Sequence, residues 1–253
     1  MEWTMIVTLY LRAYESRSQH SILDDHFAAE AVDRIDYDFA RMKRYLRPSS
    51  NQFIVVLRAK QFDVWAADFL VRHPDAVVLH LACGLDSRAL RLHPPAGVDW
   101  FDLDLPGVIE LRRQLYPERD HYRMIGASVT DADWLDELPA DRPALVIAEG
   151  LLMYLDERDV RQLLQRLTDH FSGGELLFDG MVPWVVKLMK IFRWGIRDGR
   201  QLEQWNPRLK YLEETSPTAH FAEIPVPSMR MVYRICNAIP ATRNYNRQFR
   251  FRF

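Results

Sequence analysis

The sequence predicts an open α/β sheet, mostly parallel, with helices on both faces. Three observations carry this. Residues 77–92, VVLHLACGLDSRALRL, read as a strand apolar enough to be buried on both faces, a loop of small residues, and the start of a helix. Residues 98–104 read as a second strand ending in acid, within the roughly 20-residue spacing at which a carboxylate reaches a ribose in nucleoside-binding units. In all, strand and helix alternate four times before a fifth strand, a pattern that a mostly parallel sheet satisfies most economically.

Taken in order, the first seventy residues read as a helical cap, with apolar side chains recurring at three and four over residues 22–37 and 53–69 and a break at residues 48–51. In the second of these helices Arg58, Asp63 and Asp68 interrupt the apolar pattern, and for Asp68 a water-facing position is the expectation. Residues 71–182 form the expected cofactor-binding core. Ala82, Cys83 and Gly84 let a ligand approach the main chain, Gly84 can take dihedrals closed to other residues, and Asp86 or Ser87 is placed to cap a helix from Arg88. Pro106 and Gly107 stop the second strand and start a helix through Leu115; a short third strand spans 122–127 and a fourth 144–148. Asp156 begins a helix running to Phe171, and the fifth strand starts at Glu175. Residues 183–228, rich in tryptophan, are expected to be a helical insert serving as a lid, a substrate wall or a subunit contact. Residues 229–253 are expected to be C-terminal strands with one buried face.

With 253 residues and 48% hydrophobic side chains, the chain can fill one large core, and a single domain is expected. A net charge of -2 offers no basic field for nucleic acid. Arg243, Arg247, Arg250 and Arg252 are read as surface charge alternating with buried aromatics. The two cysteines, Cys83 and Cys236, sit in apolar settings, which favours a reducing, cytoplasmic location over a disulfide framework. No stretch approaches the approximately 20 apolar residues that span a bilayer, and the N-terminal segment reads as a helix, not a signal peptide. A small-molecule partner is expected, without metal or membrane, for a monomer or homodimer.

Four motifs then stand in one order: Arg58-Ala59-Lys60-Gln61-Phe62-Asp63, Leu81-Ala82-Cys83-Gly84-Leu85-Asp86-Ser87-Arg88, Phe101-Asp102-Leu103-Asp104-Leu105-Pro106 and Glu149-Gly150-Leu151-Leu152-Met153-Tyr154. Together they resemble the leucine carboxyl methyltransferase family, and most closely its bacterial branch, which includes a polyketide carboxyl O-methyltransferase. The resemblance implies S-adenosyl-L-methionine as cofactor and a Rossmann-like class I methyltransferase fold, seven strands in the order 3-2-1-4-5-7-6 with one antiparallel. It implies that Ala82 and Gly84 pass beneath the methionine part of the cofactor, that Asp104 or its rival Asp102 takes the ribose hydroxyls, and that Arg58 pairs with the cofactor carboxylate. Glu149 falls near the cofactor amino group and Tyr154 near the transferred methyl, where it either orients the acceptor or packs behind the loop. Where the family places an acid against the adenine, this chain has Ser128 and Val129, with Asp131 close behind. The family's basic residue after the second strand is Arg112 or Arg113.

The expected activity is O-methylation of the carboxylate of a small apolar or polyketide-like acid. A carboxylate is ionised near pH 7 and needs no general base, which agrees with the scattered placement of His73, His80, His93 and His121. Phenol O-methylation is the alternative. A nicotinamide-dependent oxidoreductase would want the G-x-G-x-x-G loop that is missing here, and a non-catalytic nucleoside-binding protein would keep the pocket without turnover.

Overall fold

A computed structural model describes residues 2–253. The N-terminal cap comprises α1 (Glu2–Ser16), α2 (His26–Arg34), α3 (Phe39–Leu46) and α4 (Pro48–Arg72). Asp25 and Asp38 cap α2 and α3, each accepting a first-turn amide. Arg47 turns the chain with φ +43°, and Pro48 is the first residue of α4. The proline expected to break the helices therefore starts one, because its missing N–H costs nothing at that position.

The core follows as β1 (Val77–Leu81), a one-turn α5 (Arg88–Arg91), β2 (Asp99–Asp104), α6 (Pro106–Leu115), β3 (Tyr122–Gly126), β4 (Ala144–Ala148), α7 (Glu157–His170) and β5 (Gly174–Met181). Then come α8 (Pro183–Leu188), α9 (Arg200–Trp205), β6 (Lys210–Thr215), α10 (Pro227–Ala238), α11 (Pro240–Arg243) and β7 (Asn246–Arg252). The seven strands make one sheet in the order β3-β2-β1-β4-β5-β7-β6, with β7 antiparallel to both its neighbours and the other pairs parallel. The cap helices and α6 pack on one face, against Val78, Trp100, Leu145 and Leu177. On the other face α7 and the insert cover Leu79, Leu103, Val146 and Phe178. All five residues of β1 are buried, as a strand covered on both sides requires. The strand order reverses between β1 and β4, and the crevice there is where open α/β sheets take ligands.

Three expectations for the C-terminal third are corrected. Residues 183–228 are not purely helical, since they contain β6. Residues 229–239, expected to be strand, belong mostly to α10. Met229 and Tyr233, four apart, both pack against Phe53 and Ile224, and a helix is what puts such a pair on one side. The terminal strand is buried on both faces, not one. Phe249 and Phe251 pack against Phe178 on one side, while α4 covers the other, where Gln248 donates to the Arg58 carbonyl (2.8 Å). Arg247 and Arg250 are consequently buried instead of surface-lying. Arg250 bonds Glu175 (2.7 Å), Glu213 (3.1 Å) and Asp68 (2.5 Å), so Asp68, although half exposed, is tied down rather than merely solvated. Among the described residues no helix is long and apolar enough to cross a membrane.

Because β7 is an interior strand, Phe249→Ala is expected to cost about 3–5 kcal/mol in urea unfolding, whereas Arg252→Ala, on the exposed residue of the same strand, costs under about 0.5 kcal/mol. Equal small losses would show that β7 is peripheral.

Candidate active site

A cavity of about 340 Å3 opens at the β1/β4 reversal. Its floor is the loop after β1, with Ala82 and Gly84 both left-handed at φ +49° and +51°. For alanine that conformation costs about 1–2 kcal/mol. The loop is held by Cys83 N–H to the Leu103 carbonyl (3.2 Å) and by Gly84 N–H to Asp104 Oδ2 (2.8 Å). Asp104 Oδ1 accepts the Leu105 amide (2.7 Å). Asp104, the last residue of β2, thus faces the cavity while fastening its floor. Burial pushes its carboxyl pKa up, against the amides of Gly84 and Leu105.

Asp102, two residues deeper, lies outside the residues found to bound the cavity. Its oxygens accept from Trp100 Nε1 (2.8 Å), Tyr122 Oη (2.5 Å) and the Arg112 guanidinium, with His80 Nδ1 at 3.2 Å. Burial alone would raise its pKa, but Arg112, His80 and Tyr122 outweigh it and hold the carboxyl well below the aspartate range. Arg112 is fully buried and also donates to the Gly84 carbonyl (3.0 Å), while Arg113 is exposed beside Glu118. Of the two arginines open from sequence, Arg112 is therefore the one tied to the acidic strand and the loop.

His80 lines the cavity and is bonded at both ring nitrogens. Its Nε2 lies 3.2 Å from Arg88 Nη1. A guanidinium can only donate, so Nε2 accepts and Nδ1 carries the proton toward Asp102.

The opposite wall is a buried lattice of ion pairs. Arg58 on α4 donates from Nε to Glu149 Oε1 (2.8 Å) and from Nη1 to Asp179 Oδ2 (3.0 Å). Glu149 Oε2 accepts from Arg88 Nη2 (2.5 Å), and Asp179 Oδ1 accepts the Gly150 amide (2.5 Å). Burial would raise the pKa of Glu149, but Arg58 and Arg88 more than offset this and keep it ionised; Asp179 stays raised by its burial despite Arg58. Arg88 continues to Asp63 (2.7 Å), Asp63 to Arg91 (2.7 Å), Arg91 to Asp25 (3.0 Å) and Asp25 to Arg12 on α1 (3.1 Å). Arg12 closes on the Leu85 carbonyl (2.9 Å).

Tyr154 bounds the cavity at the far end from Asp104, packed on Phe192 with ring centroids 5.3 Å apart. Its hydroxyl pKa is raised by burial, against a lowering by Thr4 of α1. Ser128 and Val129 follow β3. Ser128 bonds Thr130 Oγ1 (2.7 Å), Val129 is buried in the sheet-facing core, and neither is among the residues found to bound the cavity.

Arg58, Ala82, Gly84, Asp104, Glu149 and Tyr154 are thus brought to one cavity, and Asp102, Ser128 and Val129 are not. Sequence reasoning missed Arg12, His80, Arg88 and Asp179. The signals were a repeated spacing of four among Thr4, Thr8 and Arg12 on α1, and a lone acid, Asp179, inside the apolar run of β5.

A profile described as leucine carboxyl methyltransferase matches residues 5–168. The chain is 45% identical to the tetracenomycin polyketide synthesis O-methyltransferase TcmP of Streptomyces glaucescens, over 99% of this chain and 96% of TcmP. It is 38% identical to the S-adenosyl-L-methionine-dependent methyltransferase dpfgK of Gibberella zeae, over 84% and 80% of the two chains. Among solved structures, a Thermobifida fusca YX protein provisionally assigned to the methyltransferases superposes with a TM-score of 0.62 at 15% identity, over 96% of this chain and 93% of that one, a likeness of fold.

The two acids of β2 should separate in unfolding measurements on the free protein. Asp102→Asn strands a buried Arg112 and is expected to cost about 3–5 kcal/mol. Asp104→Asn, whose charge is already disfavoured by burial, costs about 1 kcal/mol. The Asp102 contribution is full above the ordinary aspartate pKa and is lost as pH falls through its depressed folded value. A ranking the other way round would contradict the assignment of Asp102 to the scaffold.

Proposed function

The chain belongs to the leucine carboxyl methyltransferase family, and from that premise we propose that it transfers the methyl group of S-adenosyl-L-methionine to the carboxylate of a small, rather apolar, polyketide-like acid. The observation that carries the reading is the pairing of opposite charges across one cavity. Asp104 at one end offers carboxylate oxygens to a ribose, and the Arg58–Glu149 pair at the other offers one group of each sign to a zwitterionic amino-acid tail. Arg58 uses Nε and Nη1 on its partners, and Nη2, which has no hydrogen-bond partner among the described residues, lies toward Gly150, 4.0 Å from where a Cβ there would stand, placed for the tail's carboxylate. Glu149 takes the ammonium. Ala82 and Gly84 leave bare main chain beneath the methionine part, while Ser128 and Val129, expected against the adenine, stand outside the cavity wall. Carboxylates outnumber guanidiniums around the cavity, which suits a cationic sulfonium.

Bound there, the cofactor supplies a methyl group already activated by positive sulfur. The protein's part is alignment and exclusion of water. Met5 of α1 covers the loop, its Cγ 3.3 Å from where a Cβ on Gly84 would stand. Tyr154, kept protonated by its raised pKa, donates to the acceptor oxygen. The histidine at the cavity has both nitrogens engaged and is not placed to take a proton, and a carboxylate acceptor requires no base.

Assays with S-adenosyl-L-methionine and a panel of carboxylic acids and phenols test this. Carboxylates are expected to be esterified with kcat/KM flat across neutral and mildly alkaline pH, since the acid is ionised there and needs no general base. Cofactor affinity falls as acid protonates Asp104, and it does so at a higher pH than for an ordinary aspartate. Tyr154→Phe lowers kcat/KM about tenfold. Conversion of phenols alone would overturn the acceptor, and full activity of the phenylalanine variant would remove Tyr154 from the chemistry.

A further inference from the structure

Two segments outside the lattice flank the Tyr154 and Arg58 end of the cavity. Residues 181–197 leave β5 through α8, and residues 224–245 enter β7 through α10 and α11. Met181 pairs with Asn246 across the antiparallel strands, and the Val182 amide donates to the Tyr245 carbonyl (3.2 Å), so both segments leave the sheet side by side. Phe192 packs on Tyr154, and the Arg193 amide donates to the Met153 carbonyl (2.8 Å). On the other side Tyr245 is half-buried within reach of the Arg58 charge.

Neither segment contains an aspartate or glutamate, although the whole chain is net acidic. Lys187, Lys190, Arg230 and Arg234 are exposed on them. Large apolar side chains are exposed as well: Trp184 (52%), Leu188 (74%) and Ile191 (59%) in the first, Met231 (53%), Val232 (47%) and Ile235 (54%) in the second. No residue of α10 is buried, an arrangement a helix of a folded domain rarely keeps without a partner. A second copy of the chain is a poor occupant, because a twofold contact would set these arginines against each other. The charge pattern instead divides the site: carboxylates dominate the lattice around the cofactor cavity, and cations its rim.

We propose that α8 and α10 with their flanking turns form the acceptor-binding rim, and that its ligand is an anionic, largely apolar acid, steered by Lys187, Lys190, Arg230 and Arg234 and seated on the apolar side chains between them. This rests on the methyl-transfer reading above and deepens it. The acceptor's charge and hydrocarbon are recognised before it reaches Tyr154, so a buried cation for its carboxylate is unnecessary.

The test is calorimetric binding of 2-naphthoate and neutral 2-naphthol to the protein saturated with S-adenosylhomocysteine, in the wild type and in a Lys187→Glu, Lys190→Glu, Arg234→Glu variant. At low salt the variant is expected to bind naphthoate at least about tenfold more weakly and to lose the wild type's salt dependence. Its affinity for naphthol and for S-adenosylhomocysteine stays unchanged. Unaltered naphthoate affinity, an equal loss for naphthol, or no naphthoate binding by the wild type would each overturn the rim. So would loss of adsorption to phosphatidylglycerol vesicles at constant naphthoate affinity, which would make the surface a membrane contact. If acids are esterified while the variant binds naphthoate normally, only the rim fails; if no acid is esterified, the carboxylate reading fails first.

Discussion

Arg88 has no exposed surface, and its guanidinium reaches Asp63, Asp86, Glu149 and His80 from three other parts of the fold. A buried ion left without partners costs several kcal/mol, so the helix that carries Arg88 cannot shift without penalty. That constraint makes α4, the loop after β1, and the end of β4 one rigid unit. An apolar core of similar volume could match its stability. What ionic partners add is direction, since each carboxylate is turned to a particular guanidinium nitrogen.

The consequences reach the cavity. Glu149 and Arg58 are held by groups that are themselves held, so the anion and cation at the site need no ordering when a ligand arrives. The loop can tolerate a left-handed alanine because Asp104 and Arg112 grip it at Gly84 from both its amide and its carbonyl. His80 accepts from Arg88 while donating to Asp102, and so joins β2 to the lattice. The chain therefore uses its buried histidine for geometry.

The strands of the core were legible because β1, apolar but for His80, and β4, wholly apolar, are short runs bounded by proline and glycine, and both were placed at their observed limits. Helix α10 was not, since a short mixture of apolar residues and arginine fits either period until its packing partners are known. Charged residues were harder. A lone acid such as Asp179 in an apolar stretch says that it breaks the pattern, not that an arginine 121 residues away awaits it, and Arg250 was likewise read as surface charge because its partner Glu175 stands 75 residues away. Asp102 and Asp104 illustrate the limit well. The twofold period of a strand puts both on one side of β2, and only depth, roughly two residues of strand rise or 6–7 Å, separates the one that meets Arg112 from the one that meets the cavity. The four motifs, by contrast, identified the residues around the cavity without any knowledge of the ions behind them.

The lattice positions the site through a residue that does not itself bound it. Arg88 lies behind the cavity wall, so its influence on a ligand can come only through Glu149, His80 and Asp86. The direct measurement is the calorimetric Kd for S-adenosylhomocysteine of an Arg88→Lys protein whose folding is verified by circular dichroism. A lysine keeps the charge and cannot make the forked set of bonds. The account predicts a folded protein with affinity reduced at least about tenfold. A folded protein with wild-type affinity would contradict it.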